Sequence, residues 1–113
     1  MRIALVDLEP EWLFSTGDPS FYRRVDSLEE ANGIFFLCPL CFERNGHNRV
    51  GVHGVICWGC DVPQRVAPRP GRWRLQGTGF HDLSLQSCPG KSRSVLLLDG
   101  CRWHGFVTDG WVT

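Results

Sequence analysis

Long apolar runs are missing from this chain. Nowhere in its 113 residues is there a stretch approaching the roughly 20 apolar residues that cross a bilayer. The opening MRIALVDLEPEW carries Asp7, Glu9 and Glu11 where a secretory signal needs an apolar core. A cytoplasmic protein that does not enter membranes is therefore expected. Lysine is nearly absent, since eleven of the 12 basic residues are Arg, which favours planar and bidentate contacts over point charges. No H-E-x-x-H occurs, and no H-x-E precedes a P-C-x-x-C, so the zinc-protease and deaminase signatures are missing. Internal repeats and low-complexity segments are also absent, and the length fits a single domain spanning 1–113.

Net charge is zero, but it is unevenly spread. Residues 1–33 hold seven acids and three arginines, whereas 34–113 hold nine bases and five acids. The first third is thus acidic and the remainder basic, a weak pointer to an acidic partner for the second part.

Cysteine is what the chain does have. Six cysteines in a cytoplasmic protein argue for metal over disulfides, because thiols there stay reduced. Five of them fall in Cys38-x-x-Cys41, Cys57-x-x-Cys60 and Cys101-x-x-His104, leaving Cys88 as a loop thiol.

The elements that carry these motifs are short. MRIALVDL suggests a first strand, and 9–22, with Pro10, Gly17 and Pro19, a loop anchored by aromatics. DSLEEANG (26–33) has a cap at Asp26 or Ser27, acids in its first turn and a stop at Gly33, so a short helix is expected near 27–32. Beyond it the pattern gives strands at GIFFL, RVGVHGVICW (49–58), RWRL, DLSL (82–85) and SVLLLD (94–99). Asp109-Gly110 between GFVT and WVT marks a two-residue hairpin pairing Thr108 with Trp111 and Val107 with Val112. The expected fold is mostly β (small α+β): an acidic strand, loop and helix over 1–33, then a zinc-clamped β core over 34–113.

Zinc takes four N or S ligands in a tetrahedron. Cys38 and Cys41 supply two, and two pairs compete for the rest. Spacing favours Cys57 and Cys60, since C-x2-C-x15-C-x2-C lies within the zinc-ribbon window. Loop entropy does not exclude Cys101 and His104, because each doubling of loop length costs only about 0.6 kcal/mol. Glycines bracket that second pair, and it leads directly into the hairpin.

FFLCPLCF (35–42), VGVHGVICW (50–58), PGRWRLQGTGFHDLSL (70–85) and GCRWHGFVTDG (100–110) together resemble a group of small phage-borne zinc-site proteins. The tail is also similar to a wider, largely β domain-of-unknown-function family with an early cysteine cluster and a late C-x-x-H. That resemblance implies a site of Cys38, Cys41, Cys101 and His104, because a second cysteine at the position of Cys60 is not usual there. Cys57 then becomes a buried thiol, and Cys57 and Cys60 remain spare: an alternative ligand pair, a second site completed by His47 or His53, or plain thiols.

Four protein ligands close a zinc site and leave no place for water, so the Zn2+ expected here is structural. A nucleophilic Cys57–His53 pair is the weakest reading, because every cysteine is better explained as a ligand or as core. The expected function is a non-enzymatic accessory protein that binds a protein partner, in keeping with the phage resemblance. A nucleic-acid module is the alternative: RVAPRPGRWR (65–74) offers Arg69, Arg72, Trp73 and Arg74 for phosphate contact and base stacking. Its counter-reading is a solvated loop with Trp73 turned into the core.

Overall fold

The computed structural model describes residues 1–97 and 101–113. The chain folds into short antiparallel strands: β1 (Ile3–Ala4), β2 (Glu11–Phe14), β3 (Arg23–Val25), β4 (Gly33–Leu37), β5 (Gly54–Trp58), β6 (Trp73–Gln76), β7 (Ser84–Ser87), β8 (Val95–Leu96), β9 (His104–Gly105), β10 (Val107–Thr108) and β11 (Trp111–Val112). A helix, α1, spans Pro39–Arg44 between β4 and β5. The mostly β, small α+β class is the one expected.

The largest sheet has the order β3-β2-β4-β5 and is buried on both faces. Side chains alternate across a strand, so Val25, Trp12, Ile34 and Cys57, which pair in one row, share a face. That face belongs to the main core with Phe36, Leu83, Leu85 and Trp103. The opposite row puts Leu13 and Trp58 against Val62 and Val66 in a second, smaller cluster. Gly33 sits in this second row between Leu13 and Trp58, where a Cβ would run into the Trp58 ring.

A second sheet, β1-β11-β10, joins the two ends of the chain. Its hairpin has the expected register, Val107 with Val112 and Thr108 with Trp111. Asp109 and Gly110 both adopt positive φ (50° and 81°), as a type I′ turn demands. Two ribbons, β6-β7 and β8-β9, complete the structure.

Several local expectations shift. Residues 28–30 form a single 3-10 turn, and the longer helix falls on Pro39–Arg44, where Pro39 occupies its first position and loses no hydrogen bond. The first strand stops at Ala4 and becomes a 3-10 turn over Leu5–Leu8. Glu11–Phe14, expected as loop, is a strand at the centre of the sheet, with Trp12 and Leu13 buried on its opposite faces. The strand expected at 94–99 is seen at Val95–Leu96, and its end lies outside the described residues.

Candidate metal centre

Strand β4 delivers Cys38 to one end of the main core, fully buried. Immediately afterwards α1 begins, and its first turn carries Cys41 to the same side as Cys38. The β4–β5 ladder continues one step beyond both strands: Leu37 pairs with Gly54, and the Cys38 N–H donates to the His53 carbonyl at 2.8 Å. His53 is thereby fixed directly across from Cys38. The fourth group arrives from the other end of the sequence. Cys101 precedes Arg102, whose positive φ (53°) turns the chain, and Trp103, which anchors it in the core against the edge of the Phe36 ring.

The four donor atoms of Cys38, Cys41, His53 and Cys101 all lie within 4.8 Å of one another. Cys38 Sγ and Cys101 Sγ are 2.8 Å apart, longer than the roughly 2.0 Å of a disulfide. The imidazole lies between the Cys41 and Cys101 sulfurs, with Nδ1 3.3 Å from Cys41 Sγ and Nε2 3.8 Å from Cys101 Sγ. At a zinc–sulfur distance of about 2.3 Å, the corners of a tetrahedron are roughly 3.8 Å apart. The observed spread brackets that spacing, and three thiols with one imidazole are a donor set that suits zinc.

Without a cation the cluster is electrostatically awkward. Burial, followed by the contact with Cys101, pushes the Cys38 thiol up to about 12, and burial also raises Cys41. Burial opposes the thiolate at Cys101 as well, but there the bonds from Cys38 and Cys41 and from the Trp103 backbone outweigh it and the thiol is lowered. Burial thus opposes thiolates at Cys38 and Cys41 in the chain alone, and a divalent cation would offset that cost.

Three of the expected ligands, Cys38, Cys41 and Cys101, thus come together, and His53 stands where His104 was expected. The reason is strand parity. Trp103 and Gly105 point inward, so His104 between them points to solvent. The signal for His53 was present in the sequence. Pairing GIFFL with GVICW in register places His53 opposite Cys38, a step that motif spacing alone does not reveal.

The alternative pair is divided. Cys57 is fully buried at the middle of the sheet, and burial raises its thiol. It lies four residues along the strand from His53, about 13 Å at strand rise. Cys60 forms a disulfide with Cys88. Gly59 bridges Trp73, and Trp73 pairs with Ser87, so the two cysteines flank the same residue. Cys88 is therefore not a loop thiol, and a disulfide sits uneasily with the reducing setting expected from the sequence. His47, the other histidine considered for that pair, instead stacks on Phe42 and bonds Glu43 at 3.1 Å.

The Arg/Trp stretch is largely interior. Arg72 is 2% exposed, and all five of its guanidinium N–H groups donate to carbonyls, those of Val62, Pro63, Val66, Pro68 and Gly71, at 2.6–2.8 Å. Trp73 is buried and its indole N–H donates to the Arg93 carbonyl at 3.0 Å. These two residues knit the irregular segment 61–72 together and cannot reach a nucleic acid. Arg69 and Arg74 stay exposed.

No protein-family model, curated protein or solved structure matches this chain. Among the described residues no helix is long and apolar enough to cross a membrane.

Proposed function

We propose that the protein is a non-enzymatic binding module whose fold is closed by one structural zinc ion held by Cys38, Cys41, His53 and Cys101. The observation that carries this reading is the convergence of four N and S donors from three separate parts of the chain. Four protein ligands complete a tetrahedron and leave no coordination position for a substrate. The ion would supply charge compensation and a cross-link between the β4–α1 junction, the start of β5 and the C-terminal segment. The acting surface then lies elsewhere on the body. The sequence resemblance to phage-borne zinc-site proteins supports a macromolecular target in a phage or its host. Burial of Arg72 and Trp73 weighs against nucleic acid as that target.

Native mass spectrometry of protein purified with zinc tests the site. One ion per chain is expected, lost or readily chelated in His53→Ala and Cys101→Ser and retained in His104→Ala. Loss with His104→Ala and retention with His53→Ala would overturn the assignment of His53. Gentle purification from the natural host tests the binding half of the reading through any macromolecule that remains attached.

A further inference from the structure

A cleft of about 380 Å³ lies beside β5 and β8. It is lined by residues 54–56 and 94–97, and by 68–71 and Trp73 of the intervening segment. Consecutive residues from each strand line it. Because alternate side chains leave opposite faces of a strand, such a cleft runs along strand edges rather than over a sheet face.

The ladder bonds show which edges these are. The Cys38 N–H reaches the His53 carbonyl, and the Gly59 N–H reaches the Asn32 carbonyl at 2.7 Å. Bonding residues alternate in an antiparallel pair, so His53, Val55, Cys57 and Gly59 turn their backbone groups toward β4. Gly54 and Ile56 turn theirs away, and β5 is the last strand of its sheet. Farther along, the same edge is covered where Gly59 bridges Trp73. On the other wall the Leu97 N–H donates to the Trp103 carbonyl at 2.9 Å, so Leu96 turns its N–H and carbonyl away from β9. Among the described residues no backbone partner meets Gly54, Ile56 or Leu96 on these edges.

Open edges of this kind template another strand, and native proteins usually blunt them with charge or proline. Here the side chains at the edge are apolar, and Leu96 is 54% exposed. Arg69 supplies the only charge in the lining among the described residues. Its Nε and Nη2 are bound to the carbonyls of Gln64 and Arg65, and its Nη1 is left without a partner among the described residues.

We propose that this cleft is a strand-addition site, taking an extended peptide segment of a protein partner with alternating apolar side chains and a carboxylate at one end. The inference rests on the binding-module reading and names its surface. Backbone pairing with Gly54 and Ile56 on one side and Leu96 on the other provides affinity, and Arg69 sets the direction of the peptide by meeting its carboxylate.

The test is selection of a random extended-peptide display library on the zinc-loaded full chain. Enriched peptides are expected to show apolar residues at every second position and an acid near one end. They should slow amide hydrogen exchange at Gly54, Ile56 and Leu96 about tenfold or more, and lose binding when alternate peptide amides are N-methylated. Ile56→Pro removes an outward N–H without touching the β4 ladder and should abolish binding. Leu96→Lys alters only an exposed edge side chain and should weaken it about tenfold even if Ile56→Pro fails to fold. Peptides that tolerate N-methylation or protect another surface would overturn the cleft and leave the binding-module reading standing. A library that yields no enriched peptide would overturn the cleft too. If the host also yields no attached macromolecule, the wider reading falls with it.

Discussion

Strand β5 runs between two clamps that solve the same problem in opposite ways. Past its C-terminal end, the irregular segment 61–72 is folded around Arg72, whose five N–H groups meet five carbonyls, and the Cys60–Cys88 bond fastens it to β7. Before its N-terminal end, His53 faces three thiols that have little but one another to bond. Donors and acceptors match in the first clamp, so the chain is sufficient. In the second, three thiols crowd together, Cys38 buried and Cys41 and Cys101 half-buried, with Cys38 held protonated by burial. Buried polar groups need partners, and in the proposed reading a cation supplies that partner.

Removing that cation should break the comparison most. Structural zinc contributes on the order of 10–16 kcal/mol in small peptides, comparable with the 5–15 kcal/mol stability of a typical domain. Chelation with a strong chelator should therefore unfold the β4–α1 junction and the C-terminal segment, seen as lost near-UV circular dichroism. The Arg72 segment should be the last to go in hydrogen exchange. Metal binding also requires thiolates, so acid should act in the same direction as the chelator: retention falls as pH falls, because Cys38 and Cys41 strongly prefer their protonated forms.

The self-sufficient clamp should break next. Arg72→Ala leaves five carbonyls without their donor, those of Val62 and Val66 in buried bonds, and should cost about 3–5 kcal/mol in denaturant unfolding. Arg72→Lys keeps the charge but not the planar fork, and it should recover only part of that loss. Zinc content should be unchanged in both, which separates the two clamps.

The disulfide comes third. Its sequence separation of 28 residues corresponds to about 3–4 kcal/mol of loop-closure entropy. Cys88→Ser should lower the denaturation midpoint accordingly while leaving zinc bound. Alkylation in denaturant without reductant, after metal removal, should find four free thiols, at Cys38, Cys41, Cys57 and Cys101. Six would show that Cys60 and Cys88 are unpaired.

The comparison also marks what one sequence reveals. The Asp-Gly hairpin, the GIFFL strand and the Cys38–Cys41 pair were legible because turn chemistry and close thiol spacing are local. Cys101 came only through the family resemblance, since spacing favoured Cys57 and Cys60. His53 required strand register, which becomes visible only once two strands are paired. The fate of His104 required knowing the inward parity of Trp103. Arg72 misled because an arginine between a glycine and a tryptophan suggests a binding surface, whereas the carbonyls it saturates are scattered over residues 62–71 of an irregular loop. The Glu11–Phe14 strand was hidden by prolines and glycines on either side of it.

The smallest expected effect lies at a turn that neither clamp touches. Asp82 accepts hydrogen bonds from the Thr78 N–H and hydroxyl and from the Gly79 N–H, at 2.7–2.9 Å. These bonds favour its carboxylate and hold its pKa at about 2, below the ordinary 3.8. A depressed carboxylate stabilises the fold above its unfolded pKa, and that contribution is lost as pH falls from 3.8 toward 2. The group is exposed, so solvent screening keeps the effect small. Asp82→Asn keeps the shape but not the charge. Its melting temperature should lie slightly below wild type at neutral pH and converge with it near pH 2. Acid releases the metal from both proteins alike, so the difference between them at each pH isolates the turn. A gap that stayed constant with pH would mean that the bonds to Thr78 and Gly79 do not depend on the carboxylate's charge.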